Sequence, residues 1–275
     1  MIQTLTTVNL SFNEIEDIGA QHLANTLRNH QTLTILDLSC NQIGNNGAQH
    51  INDAFKENKT LIQLDLKGNP GHYCRTVSAA IQIRNDKTIN KIDLRWKSID
   101  DIGMKFLTDA LINNETIIEL DLSENKIGDI GTKHLADALQ NNTVLTILEL
   151  SYNQIENNGA QYLNDALKEN KTLIKLDLKG NPGHYCTIVS AAIQIRNNKT
   201  ITKMRLYYNK SKYCEAVGMT LTRIDLQSKQ YGDNEIKLLA NELYNNKTIT
   251  KLNFEKNGIS DIGVQYLADM LRNNR

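Results

Sequence analysis

The sequence predicts an α/β solenoid, a right-handed horseshoe of about ten 28-residue units with a parallel sheet on its concave face. Three observations predict it. The pattern LxxLxLxxNxI starts at Leu5, Leu33, Leu61, Ile89, Ile117, Leu145, Leu173, Ile201, Leu221 and Ile249, and eight of the nine steps are 28 residues, the step from Ile201 being 20. Inside each unit the apolar period changes from that of a strand to that of a helix. No unit can bury both its strand leucines and its helix face alone, so stacked neighbours must share one core. Parallel strands sit about 4.8 Å apart, whereas packed helices need about 8–10 Å. The helix side is therefore the longer one, and the stack bends with its strands inside.

The unit from Leu33 to Thr60 shows each element in turn. Leu36 and Leu38 alternate with Ile35 and Asp37, which predicts a short strand. Asn41 follows, where its amide can bond backbone groups of the adjacent turn and build a ladder with its equivalents. After Gly47, the residues Ala48, Ile51, Ala54 and Phe55 lie on one face of a short helix. Asn58 and Thr60 return the chain to Leu61. The repeats run from end to end, so a single domain spans 1–275, with a shortened unit at 201. Its helix should be reduced to a turn around Glu215–Thr220. Units three and seven carry Asn-Pro-Gly-His-Tyr-Cys at 69–74 and 181–186, and proline there breaks the usual path. The stretch 33–94 recurs at 145–206 with 49 of 62 positions identical, so a block of four units was copied. Differences between the copies, such as Cys40 against Tyr152 or Asp93 against Arg205, bear on partner choice more than the identities do.

The LxxLxLxxNxI core, a glycine soon after it and the Asn-x-Thr ending resemble the ribonuclease-inhibitor-like class of leucine-rich repeats. The resemblance covers essentially the whole chain. It implies an α/β leucine-rich-repeat solenoid that binds a protein on its concave face, and in particular one that covers and regulates an enzyme. The Asn/Lys/Ile-rich style and the internal copying also resemble repeat effectors that intracellular bacteria deliver into host cells. That second likeness implies an effector role.

Lys+Arg and Asp+Glu both number 31, so the net charge is zero. This argues against non-specific binding to nucleic acid or to a membrane surface. No apolar run is long enough for a transmembrane helix. The chain enters its first repeat at Leu5, and no signal peptide is expected. Cys74, Cys186 and Cys214 share one place in their units, where other units have Ile18, Ile102, Ile130 and Ile262. They read as small buried hydrophobes, with Cys40 a free thiol, which fits a reducing, cytoplasmic setting. The many Asn-x-Ser/Thr sequences read as turn sequence rather than glycosylation sites.

No Gly-rich phosphate loop and no nucleophile–base set is evident. Of the His-x-Cys pairs, only His184, Cys186 and Cys214 could converge on a metal, and their cysteines occupy core positions. No catalytic residue, cofactor or metal is expected. The residue between the central strand leucines reads Asn9, Asp37, Asp65, Asp93, Asp121, Glu149, Asp177, Arg205, Asp225, Asn253. Acids on adjacent strands repel. Bases such as Lys67, Lys91, Arg95, Lys175 and Lys179 lie beside them, but Glu119, Asp121, Glu124 and Glu149 have none on their own strands, which predicts a negative patch. Phe12, Trp96, Tyr152, Tyr207 and Tyr208 fall just past the strand leucines, in a chain only 5% aromatic. Exposed aromatics beside charges have the composition of binding hot spots. The expected function is a non-catalytic module, monomeric when free. It would hold a protein of basic or mixed charge through these residues with Asp93 and Arg205. The alternative is an assembly protein that multimerises through the open ends of the stack.

Overall fold

The structure, a computed structural model, describes residues 5–197, 204–205, 223–244 and 246–273. Strand and helix alternate: β1 (Thr7–Asn9), α1 (Asp17–Leu27), β2 (Ile35–Asp37), α2 (Asn45–Phe55), β3 (Gln63–Asp65) and α3 (Cys74–Asn85). They continue as β4 (Lys91–Asp93), α4 (Asp101–Leu111), β5 (Glu119–Asp121), α5 (Asp129–Asn141), β6 (Ile147–Glu149), α6 (Asn157–Glu169), β7 (Lys175–Asp177) and α7 (His184–Asn197). Last come β8 (Met204–Arg205), β9 (Arg223–Asp225), α8 (Asp233–Leu243), β10 (Lys251–Asn253) and α9 (Asp261–Asn273). The chain is an α/β leucine-rich-repeat solenoid. Strands pair in parallel at a 28-residue register, as in Leu36↔Leu64 and Leu120↔Leu148. These central residues point into the core, and their neighbours on either side face the other way.

Two asparagine ladders hold the stack together. Asn41 donates to Leu10 O (2.9 Å) in the preceding unit and to Leu38 O (3.0 Å) in its own, while its Oδ1 accepts from Ile15 N (3.0 Å). Asn153 repeats this with Leu122 O, Leu150 O and Ile127 N. At the helix-to-strand turn, Asn58 donates to Leu27 O and His30 O and accepts from Thr60 N and Leu61 N. Asn58, Asn142 and Asn170 are all buried. The Asn-x-Thr sequence is thus turn chemistry, with its amide spent on buried backbone groups. A third link crosses the helix layer. Asp17 Oδ1 accepts from Gly44 N (2.6 Å) and Gly47 N (2.9 Å), so the first turn of α1 caps α2; Asp101 does the same for α5.

The expected continuous sheet is not what forms. Three sheets stand among the described residues: β1-β2-β3, β4-β5-β6-β7 and β8-β9-β10. The breaks follow the two units with Asn-Pro-Gly-His-Tyr-Cys, and their helices explain them. On α3 the residues Cys74, Val77, Ile81 and also Thr76, Ala79, Ala80 and Ile83 are buried, so more than one face is covered. On α7 the run from Ile188 to Ile193 is buried throughout. A helix apolar on most sides belongs inside the protein, and α3 and α7 lie close against their own strands, β3 and β7. Across α3 the outer layer closes: Lys56 Nζ of α2 reaches Asp109 Oδ2 of α4 at 3.3 Å, two units away. The ladder fails at the same place. Lys97 stands where an asparagine would reach back to Leu66 O; its backbone N–H donates to Asn125 Oδ1 instead (3.1 Å). This placement also corrects the cysteine comparison. Cys74 and Cys186 are buried, but Ile18, Ile102, Ile130 and Ile262 in the same sequence place are exposed. The expected turn at Glu215–Thr220 and Cys214 lie outside the described residues.

Candidate partner-binding surface

The strand-to-helix turn sets the geometry of the aromatics. The residue before the ladder position has positive φ in unit after unit: Phe12 (56°), Cys40 (53°), Gly68 (78°), Trp96 (59°), Glu124 (58°), Tyr152 (56°), Gly180 (76°), Ser228 (57°) and Lys256 (57°). Non-glycine residues pay roughly 1–2 kcal/mol each for that conformation. Glycine fills the place in units three and seven, aromatics fill it in units one, four and six, and Cys40, Glu124, Ser228 and Lys256 fill it in the other described units. Phe12, Trp96 and Tyr152 are 81%, 70% and 51% exposed. The conformation belongs to the turn in every described unit, so the side chains at this place form one row in which only the residue type varies. Tyr152 leans along the row: a Cβ on Gly180 would stand 2.6 Å from its Cδ1, so glycine there is what lets the ring lie flat. Trp96 and Tyr152 follow β4 and β6 of one sheet, on the order of 10 Å apart at the usual strand spacing, with Glu124 between them.

The acidic row has a local structural cause. Asp37, Asp65, Asp93, Asp121 and Asp177 each accept from the backbone N–H two residues on, at 2.8–3.0 Å. Each carboxylate closes the turn leaving its strand. The expected uncompensated patch is also corrected. Lys91 Nζ meets Glu119 at 2.6 Å, Lys175 Nζ meets Glu149 at 2.5 Å, and Arg95 lies 2.6 Å from Asp93 and 3.3 Å from Asp121. The compensation comes from adjacent strands, which a strand-by-strand reading of the sequence overlooks. Glu124 makes no ion pair among the described residues. The side-chain hydrogen bond from Arg95, then its backbone N–H, bring the Asp93 carboxyl down to about 2, and the same pairing raises the Arg95 guanidinium. Burial alone would lower Lys175, but its bond to Glu149 raises it. The surface from β4 to β7 is therefore an ordered lattice of alternating charge beside a rim of aromatics. Arg205 lies in β8, paired with Asp225 through the backbone, and its side chain is outside the described set. Tyr207 and Tyr208 also lie outside the described residues.

The Cys74 and Cys186 thiols are held protonated by their surroundings. Burial, followed by the charge of Asp17, pushes the Cys74 thiol up to about 11; burial and Asp129 push Cys186 to about 12. Among the described residues no group of three His, Cys, Asp or Glu side chains could hold a metal ion. No helix of the described residues is long and apolar enough to cross a membrane. One feature of this face escaped the sequence reading: Arg75 of α3 opens onto it, and the Arg75/Thr187 difference between the copied blocks was the available signal.

A family model described as Leucine Rich repeat matches residues 2–24, 29–51, 113–136, 141–163 and 245–268. The two stretches it passes over, 52–112 and 164–244, hold the helices α3 and α7. Among solved structures the chain is similar to the tropomodulin C-terminal domain of Caenorhabditis elegans, at 11% identity and a TM-score of 0.39, over 72% of this chain and 92% of that one. It is also similar to leiomodin-1 actin-binding site 2, at 20% identity and a TM-score of 0.34, over 65% and 87%. No curated protein matches the chain.

Proposed function

We propose that the protein is a non-catalytic binding module that captures a protein partner on its concave face. The observation that carries this is the set of exposed aromatics held at positive φ, Phe12, Trp96 and Tyr152, beside the charge lattice of β4 to β7. Aromatic anchors supply affinity, and rim charges orient the encounter. Tyr207, Tyr208 and Arg205 extend the same row in sequence and are assigned to the interface with Asp93, Glu119, Asp121, Glu124 and Glu149. Glu124, unpaired in the lattice, is the acid that takes a basic residue of the partner. The finer reading, a partner enzyme regulated by capture inside a host cell, rests on the resemblance of the repeats alone. Affinity capture from cell extract with the parent chain and with Trp96→Ala tests the proposal. A partner retained by the parent and lost by the variant supports it; one retained equally by both overturns the concave assignment.

The alternative is an assembly protein that multimerises through the ends of the stack. Light scattering over a concentration series separates the readings: constant monomer mass supports the capture module, and growth of mass with concentration supports assembly.

A further inference from the structure

The break between β3 and β4 leaves hydrogen-bonding groups that the intact sheet would use. Elsewhere Leu38 N donates to Asp65 O at 2.8 Å and Gln63 N to Thr34 O at 3.0 Å. The equivalent bonds across the break, Leu66 N to Asp93 O and Lys91 N to Ile62 O, are absent. The copied unit closes its own edge: Leu178 N donates to Ser190 Oγ at 3.1 Å. In unit three the matching hydroxyl, Ser78 Oγ, donates to Cys74 O instead (3.1 Å), and Leu66 N is left open. A groove of about 460 Å³ results between β3 and α3, lined by Gln63, Asp65, Arg75, Ser78 and Gln82. Solvent reaches a little further in here than along β5 and β6, although Leu66 itself is 1% exposed. Leu64, Ile92 and Leu94 are 5–8% exposed, against 0% for Leu120, Leu122 and Leu148.

Two charged side chains line the groove, Arg75 and Asp65. Arg75 is exposed, and it makes no hydrogen bond or ion pair among the described residues. The Lys67 ammonium has no ion pair among them either. Asp65, the acid on the wall, accepts from Lys67 N at 2.8 Å. A free strand edge takes an extended backbone, and an unpaired guanidinium takes a carboxylate. We propose that this groove binds an extended acidic peptide segment of a partner, added as a strand to the free edge of β3 with one carboxylate on Arg75. The site goes beyond the aromatic row and does not depend on it. The copied unit, with Thr187 in place of Arg75 and its edge closed by Ser190, does not share it.

The probe is a fluorescein-labelled, end-capped hexapeptide of alternating valine and glutamate, followed by anisotropy. Saturable binding is expected, weakened at least tenfold by Arg75→Thr, which installs the residue of the copied unit and so suits the fold. Methylating alternate amides of the peptide should weaken binding to the same degree, because it removes the strand-pairing donors. Hydrogen exchange adds a site-specific readout. The Leu66 amide should exchange fast in the free protein and at least tenfold slower with peptide, while the Leu178 amide is slow in both. Trp96→Ala should leave peptide binding unchanged, so this test and that of the aromatic row fail separately. Absent binding, equal binding to Arg75→Thr, or equal binding of the methylated peptide would each overturn the proposal.

Discussion

Replacing Trp96 by alanine and, separately, by glycine tests whether the aromatic row is held at a cost to the fold. Both variants lose the same indole. Trp96 is 70% exposed, so about a third of a ring that can bury roughly 150–250 Å² is covered. At ~25 cal/mol per Å² that covered part contributes about 1–2 kcal/mol, lost equally in both. The variants differ in their backbone. Alanine retains the cost of φ near 59°, roughly 1–2 kcal/mol, and glycine does not. Glycine's freer unfolded chain takes back about 0.4–1 kcal/mol. The glycine variant should therefore be the more stable by roughly 0.5–1 kcal/mol. The sign is diagnostic, since in a strand interior such as Ile147 glycine should be the less stable by about the same amount. Urea unfolding followed by circular dichroism is the assay, because Trp96 is the one tryptophan and both variants lack its fluorescence. Partner binding should fall by about 2 kcal/mol in both, the hot-spot scale. If alanine is as stable as glycine at position 96, the positive-φ cost is not there.

Asn153→Ala should destabilise the fold by about 2–4 kcal/mol in denaturant unfolding: Ile127 N loses its acceptor outright, while Leu122 O and Leu150 O keep Asn125 and Asn181. A loss under about 1 kcal/mol would show that the ladder is not a stabilising element. Acid should lower the melting temperature as pH falls from about 4 towards 2, because Asp93 and Asp233 sit below their ordinary values when folded and the unfolded chain then binds more protons. Alkali should lower it above about pH 9, since Cys74 and Cys186 are raised and the folded chain holds the protons longer. A melting temperature flat from pH 2 to 11 would refute both assignments. Glu124→Lys should slow association with a basic partner and flatten its dependence on ionic strength, with little change in dissociation; unchanged on-rates would remove Glu124 from the interface.

Periodicity made the strands, the helices, their order and the shared core legible, because each depends on residues within one unit or its image 28 residues away. What it hid depends on neighbours that differ. The pairs Lys91–Glu119 and Glu149–Lys175 cross strands, so a tally within each strand found acids without bases. The sheet breaks arise from α3 and α7, whose sequences Val-Ser-Ala-Ala-Ile-Gln-Ile place apolar groups on more than one face. That departure from a single apolar stripe was visible beside Asn-Pro-Gly-His-Tyr-Cys. Proline explains only a changed path; the helix close against its own strand explains where the path goes, why Cys74 is covered when Ile18 is not, and why Lys56 can reach Asp109. The two irregular units then diverge from one another. Ser190 closes the strand edge of one, whereas Ser78 turns away and Arg75 stands unpaired over the other. A copied block begins with two identical grooves, and Lys175 for Gln63, Thr187 for Arg75 and the turn of one serine now separate them. Repetition builds the surface of this protein, and the places where repetition lapses are where that surface acquires an address.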